Sequence, residues 1–168
     1  MEELKKRIKD AFKKAPKFEL VELPFIDVAE DPVRPELDNN FRTGYGRKIY
    51  GVEYLGEIHA VMCFAYTNKV PKSVDELEKL STDAFLQTAM RDQSGGQIAI
   101  AYTVWSKKKG GGKLIVKEVF KKIKKSNHLN RLVTLSPLTD MATKFHERNG
   151  AKLIQVNETT QNFEYKII

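Results

Sequence analysis

Apolar positions change their spacing along this chain, and each change marks a new element. Leu4, Ile8, Ala11 and Phe12 recur at helical intervals with Lys and Arg between them. Glu2 and Glu3 precede them, where carboxylates favour the dipole of a helix, so an amphipathic first helix is predicted. Phe18 to Leu23 reads as a first strand. From Pro24 to Gly46 there is no sustained period and there are three prolines, which predicts a loop with at most a short helical turn. Ile49 to Glu53 and Glu57 to Thr67 read as two strands joined by a turn at Leu55-Gly56. The second is apolar at Ile58, Ala60, Met62 and Phe64 and also at Val61, Cys63 and Ala65, so it belongs in the middle of a sheet covered on both faces.

Ser73-Val74-Asp75-Glu76 has the form of a capping box, with a helix to follow that carries Leu77, Leu80 and Ala84 inward. Gly95-Gly96 opens a strand from Gln97 to Trp105. A lysine and glycine loop comes next, then a helix from Lys113 to Lys125. One of its faces holds Ile115, Val116, Val119, Phe120 and Ile123, and the other Lys113, Lys117, Lys121 and Lys124. Arg131 to Leu135 reads as a short strand. Ser136-Pro137 reads as the start of a helix, with serine as cap and proline at the first helical position. Met141, Ala142 and Phe145 are then expected to face inward, and Gly150 to take the left-handed conformation that ends the helix. Ala151 to Val156 and Asn162 to Ile167 read as a closing antiparallel pair. Strand, loop, helix, strand, helix, strand, strand is an order that implies one parallel pairing across a crossover helix, with antiparallel neighbours.

Composition narrows the function classes. A chain of 168 residues, 41% hydrophobic, is most simply one globular domain over residues 1–168. No apolar run is long enough to cross a bilayer, no secretion signal is evident, and Cys63 is the only cysteine, so a cytoplasmic protein away from membranes is expected. Three separated histidines and one cysteine give no metal-ligand spacing. The net charge of +7 is concentrated: residues 107–125 hold nine lysines and one acid, Glu118, which fits an anionic partner. A solvated lysine face on a helix is the alternative.

Lys107-Lys108-Lys109-Gly110-Gly111-Gly112-Lys113 lies between a strand and a helix. Glycines there let a backbone approach a ligand, and a helix N-terminus adds positive potential, so a pyrophosphate suits the place. A Walker A loop does not fit, because Lys107 stands five residues before Gly112 and Leu114 stands where Ser or Thr would hold magnesium. A dinucleotide fingerprint does not fit either, since Ile115 occupies its third glycine position.

The loop resembles that of the GNAT (Gcn5-related N-acetyltransferase) superfamily, Gln/Arg-x-x-Gly-x-Gly/Ala, with Lys107 at the Gln/Arg position, Gly110 at the first glycine and Gly112 at the last. Downstream, Ala142-Thr143-Lys144-Phe145-His146-Glu147-Arg148-Asn149-Gly150-Ala151 resembles the second signature, Ala-x-x-Phe-Tyr-x-Lys/Arg-x-Gly-Phe. Ala142, Phe145, Arg148 and Gly150 match, while His146 stands at the tyrosine and Ala151 at the final phenylalanine. The resemblance runs from Gln97 to Ile168. Before that, the helix after Ser73 separates two strands that the family joins directly.

This resemblance implies a mixed α/β (α+β) fold: a mostly antiparallel central sheet with a parallel pair at the cofactor cleft, flanked by helices. It implies transfer of an acetyl or other acyl group from acetyl-CoA to an amine, with coenzyme A as co-substrate and no metal. Lys107, Lys108, Lys109, Gly110, Gly111, Gly112 and Lys113 would hold the pyrophosphate. The strand before them would open at a bulge, so that backbone groups of Tyr102, Thr103 and Val104 hold the pantetheine arm and thioester. His146 would protonate the leaving thiolate, as imidazole can near neutral pH, the alternative being a surface histidine. Glu57 and His59 are base candidates, or solvated structural residues. Trp105 would stack on the cofactor or belong to the core, and Cys63 in its apolar run reads as core. Family acceptors range from antibiotics and polyamines to protein N-termini, so a small-molecule or peptide amine is the expected partner. A homodimer is compatible with this reading.

Two rivals remain. One is a coenzyme-binding relative without activity. The other is a nucleic-acid-binding module using the lysines of residues 107–125 together with Lys5, Lys6, Arg7 and Lys9. The second is disfavoured because lysine far outnumbers arginine, aromatic residues do not alternate with the charges, and no recognition motif is present.

Overall fold

The structure is a computed structural model that describes residues 1–13, 17–91 and 95–167, without the side chains of 10–13 and 89–91. Eight strands, β1 (Glu19–Leu23), β2 (Lys48–Tyr54), β3 (Glu57–Thr67), β4 (Ile98–Ser106), β5 (Arg131–Thr134), β6 (Ser136–Pro137), β7 (Lys152–Val156) and β8 (Thr160–Tyr165), form one sheet. Its order is β1-β2-β3-β4-β5-β8-β6, with β7 also paired to β8. Every pairing is antiparallel except β4 with β5. The expected fold class is the one found.

The β2–β3 turn follows from its two central residues. Leu55 and Gly56 both have positive φ, 52° and 79°, the conformation that matches the twist of the flanking strands. The alternation of β3 then divides the core in two. Ala60, Met62 and Phe64 pack with Ile115, Val116, Val119 and Ile123 on one face, while Val61, Cys63 and Ala65 pack with Leu77, Ile100 and Tyr102 on the other.

Among the described residues there are five helices, α1 (Glu2–Lys13), α2 (Asn39–Thr43), α3 (Val74–Arg91), α4 (Gly111–Lys125) and α5 (Asp140–Arg148), and α2 to α5 pack on the sheet. A 3₁₀ turn spans Val28–Glu30. The Ser73 hydroxyl accepts from the Glu76 N–H and starts α3, which buries Leu77 and Ala84 and leaves Leu80 half-buried. α3 separates β3 from β4 in sequence, yet the two strands pair directly. α4 supplies the opposite face. The apolar stripe expected on α1 stays in solvent at Leu4 and Ile8, and the side chains of Ala11 and Phe12 lie outside the described residues.

Two expectations are corrected. Ser136-Pro137 does not start a helix: it pairs with Gln161 and Thr160 of β8, and the Ser136 hydroxyl is 2.8 Å from that of Thr134. The cap is Thr139, whose side chain accepts from the Ala142 N–H, so α5 begins three residues later. Met141 therefore faces solvent, and His146 is the residue of α5 that becomes buried. Among the described residues no helix is long and apolar enough to cross a membrane.

Candidate acyl-coenzyme A cleft

The site begins with one extra residue in β4. Cys63 pairs with Thr103 and its neighbour Phe64 with Ala101, so Tyr102 has no opposite number on β3. Such a bulge bends its strand. Parallel pairing with β5 stops at the same level, Ala101 with Thr134, followed only by the Leu135 N–H on the Ala101 carbonyl at 2.9 Å. Beyond it β4 continues to Ser106 while the chain after β5 turns to β8, and a wedge opens between them.

Arg34 closes the root of the wedge. Its Nε donates to the Tyr102 carbonyl at 2.9 Å and its Nη2 to the Leu135 carbonyl at 3.0 Å. Two acceptors cannot bond each other, so a double donor is what this point of a split sheet requires. Arg34 is held in turn by Asp31, whose Oδ1 accepts from the Arg34 N–H at 3.0 Å and the Thr103 hydroxyl at 2.9 Å. The Asp31 Oδ2 accepts from Arg42 at 2.9 Å, and both side chains of this pair are fully buried. Arg42 also donates to the Arg34 and Leu37 carbonyls and lies 3.4 Å from the Cys63 sulfur. Burial pushes the Cys63 thiol up to about 11, so it is an inert member of the core. The irregular segment between β1 and β2 is thus fastened to the bulge.

The glycine loop is fixed from below. The N–H groups of Lys107 and Lys108 both donate to the His59 carbonyl, at 2.8 and 3.1 Å. The three glycines answer three demands. Gly110 has φ 82°, a left-handed conformation, with open space around its Cα. A Cβ on Gly111 would lie 2.3 Å from the His59 carbonyl oxygen. A Cβ on Gly112 would lie 2.8 Å from the Phe145 ring, so Gly112 permits α4 and α5 to approach each other. The first N–H groups of a helix have no partner inside it. The Gly111 N–H bonds the Lys108 carbonyl and the Leu114 N–H bonds the Gly110 carbonyl, which leaves Gly112 and Lys113 without a backbone acceptor among the described residues. Lys107 pairs with Glu30 at 3.1 Å and Lys108 with Glu57 at 3.5 Å, while Lys109 and Lys113 are exposed and without an ion pair among the described residues.

Wedge and loop meet in a cavity of about 500 Å³. Tyr102, Thr103, Val104, Gly112 and His146 all line it, from β4, α4 and α5. The remaining loop residues, Lys107 to Gly111 and Lys113, lie beyond its end. Glu30, Pro32 and Val33, which no motif in the sequence marks, also line the cavity, with Arg34 behind them. Their one signal was the presence of Arg34, Arg42 and Arg47 in a stretch without period. Glu57 and His59 stand outside the cavity: Glu57 is paired to Lys108, and the His59 ring lies edge-on to Phe18 and Tyr54. Trp105 is buried, touches the cavity wall, and has Arg42 at 6.0 Å from its ring.

His146 is neither a surface residue nor an acid poised near neutrality. It is 5% exposed, packed on Phe145 and Phe163, with its Nδ1 2.7 Å from the Tyr165 hydroxyl. Burial pushes its pKa down from 6.5 to about 4, because desolvation penalises the imidazolium. At pH 7 the ring is neutral and hydrogen-bonded to a phenol that is itself pushed above its ordinary range by burial.

At the level of sequence no family model matches the chain and no curated protein matches it. Solved structures do. The GphF GNAT-like decarboxylase in complex with isobutyryl-CoA superposes with a TM-score of 0.68 at 10% identity, over 89% of this chain and 100% of that one. A malonyl-CoA decarboxylase from Cupriavidus metallidurans gives 0.63 at 13% identity over 89% of this chain; the chain spans only 61% of that protein. A Bacillus subtilis acetyltransferase in complex with CoA gives 0.55 at 11% identity, over 88% of this chain and 95% of that one. With one parallel pair in an otherwise antiparallel sheet, split at a bulge beside a glycine-started helix, the chain has the fold of the GNAT superfamily.

Proposed function

We propose that the cleft binds an acyl-CoA and that the protein transfers the acyl group to an amine. The observation that carries this reading is the coincidence, at one level of the sheet, of the Tyr102 bulge with the end of β4–β5 pairing. It leaves Thr103 and Val104 on the wall of a cavity that reaches Gly112, where the N–H groups of Gly112 and Lys113 have no backbone acceptor among the described residues. A pantetheine arm with its two amides suits such a strand edge, and a pyrophosphate suits such a helix start. Lys109 and Lys113, together with Lys107 and Lys108, supply cations for the phosphates.

In the transfer, the amine nitrogen bonds to the thioester carbonyl carbon, the carbon–sulfur bond breaks, and the amine's proton must leave while the thiolate gains one. Glu30 is the only carboxylate that lines the cavity among the described residues, and it is our candidate to receive the amine's proton. Phosphates that engage Lys107 would loosen its bond to Glu30 and free that carboxylate. His146, neutral at pH 7, serves as a hydrogen-bond donor to the departing sulfur rather than as an imidazolium acid. The thiolate takes its proton from water, and the proton received by Glu30 returns to solvent.

The GNAT-like decarboxylases among the similar structures favour a second reading, loss of a carboxylate from a malonyl-type acyl-CoA without any acceptor. One assay separates the two. Thiol release from acetyl-CoA is followed with polyamines, small amines and peptide N-termini, and CO₂ release from malonyl-CoA is followed without amine. Amine-dependent thiol release supports acyl transfer. CO₂ release alone moves the assignment to decarboxylation, and neither, in a protein that binds CoA, leaves a coenzyme-binding protein without activity.

A further inference from the structure

A second cavity, of about 610 Å³, lies at the other end of α4 from the glycine loop. Its walls are Tyr50 of β2, Phe64 and Tyr66 of β3, Ala99 of β4, and Val119 and Ile123 from the buried stripe of α4. Tyr45 and Phe85 stand at its mouth, 50% and 42% exposed, ring edge to ring face at 6.0 Å. Ala99 and Gly96 add no bulk to this wall, and Gly96 is seated against the Tyr66–Thr67 backbone, where a Cβ would lie 2.3 Å from the Thr67 nitrogen. No element of the acyl-CoA cleft lines this space except the shared lengths of β4 and α4.

Its polar complement is of one sign. Lys48, Lys122 and Lys125 line the cavity, and no aspartate or glutamate does among the described residues. Lys48 is paired with Glu22 at 2.9 Å, whereas Lys122 and Lys125 have no ion pair among the described residues. The Lys122 ammonium lies 5.5 Å from the centre of the Tyr50 ring. Arg47 adds an independent observation. It is 3% exposed, and its guanidinium donates to the Phe41 carbonyl at 2.6 Å and to the hydroxyls of Ser81 and Thr82 at 2.8 and 3.4 Å. All are neutral acceptors, and no carboxylate lies within ion-pair distance of it among the described residues. Ser81 lines the cavity, so a buried guanidinium whose hydrogen-bond acceptors are all neutral stands directly behind the wall, with Glu78 acting on it only from beyond ion-pair distance. The C-terminus of α4 contributes about half a negative charge, which Lys122 and Lys125 outweigh.

Aromatic walls accept a flat ring system, and a rim that carries the ammonium groups of Lys122 and Lys125 accepts an anion at its edge. We propose that this cavity is a second ligand site, for a small aromatic molecule bearing a carboxylate, sulfonate or phosphate, and separate from the acyl-CoA cleft. The site does not depend on the protein's being an acyltransferase.

The test uses 8-anilinonaphthalene-1-sulfonate, a probe of that class, titrated into the folded chain with and without saturating CoA while its fluorescence is followed. Saturable binding to one site that persists in CoA supports the proposal. Lys122→Glu with Lys125→Glu, both at exposed positions, should weaken it about tenfold or more through like-charge repulsion, with a cooperative unfolding transition retained. Thr88→Trp, which fills the cavity from α3, should abolish it. Displacement by CoA, or equal affinity in the charge-reversed variant, would overturn the assignment.

Discussion

Acidification should expose the state of His146. Its folded pKa is about 4 against 6.5 for an open imidazole, so between those values the unfolded chain binds a proton that the folded protein refuses. The stability that this neutral, buried ring contributes is fully present above 6.5 and is lost as pH falls toward 4. Linkage gives about 2 kcal/mol lost from pH 7 to pH 5 and about 3 kcal/mol by pH 4. The group is 5% exposed, so solvent screening reduces this little. Carboxylates elsewhere add their own slope, so the quantity to measure is a difference. Urea unfolding of the parent and of His146→Gln, a variant that can still hydrogen-bond Tyr165, is followed at pH 7, 6, 5 and 4.5. The variant should lose less stability on acidification, by about 2 kcal/mol at pH 5. Parallel pH profiles for the two proteins would show that His146 is not buried and neutral, and the role given to it in the cleft would go with that result.

Arg34→Met keeps the side chain's length but leaves the Tyr102 and Leu135 carbonyls without their donor. It should cost about 2–4 kcal/mol in urea unfolding and weaken CoA binding, because the wedge loses its root. Gly112→Ala should cost about 1–3 kcal/mol, since its new methyl group meets the Phe145 ring, whereas Gly110→Ala should cost about 1–2 kcal/mol from left-handed strain alone; calorimetric melting compares them. Lys109→Gln with Lys113→Gln should weaken CoA about tenfold at low ionic strength and much less at 1 M salt, where exposed charges are screened, as isothermal calorimetry would show.

Local pattern carried the sequence reading wherever a residue's neighbours in sequence decide its conformation. The two-residue turn at Leu55-Gly56, the serine cap of α3 and the lysine-opposed stripe of α4 are of this kind. Ser136-Pro137 has an equally good local signal for a helix start, but its backbone is taken by Thr160 and Gln161 of β8, a partner that only the folded chain brings near. The later start of α5 then decided which residue turned inward, His146 rather than Met141. The network of Asp31, Arg34 and Arg42 reaches β3, β4 and Leu135 just past β5 across long stretches of sequence, so no spacing announces it. The bulge at Tyr102 is a property of the backbone, and only the resemblance of the glycine loop downstream to that of a known fold points to it. Gly112 was expected for the sake of a pyrophosphate, yet its missing side chain makes room for a phenylalanine.

Coenzyme A, on the reading proposed above, lies along the free edge of β4 and ends on the first turn of α4. The most direct measurement is a ¹⁵N-resolved amide titration of the labelled protein with CoA. Saturable shifts confined to Thr103, Val104, Gly112, Lys113 and their neighbours around the wedge are expected. Saturable binding that leaves these amides unmoved, and instead moves those around Tyr50, Tyr66 and Lys122, would contradict it.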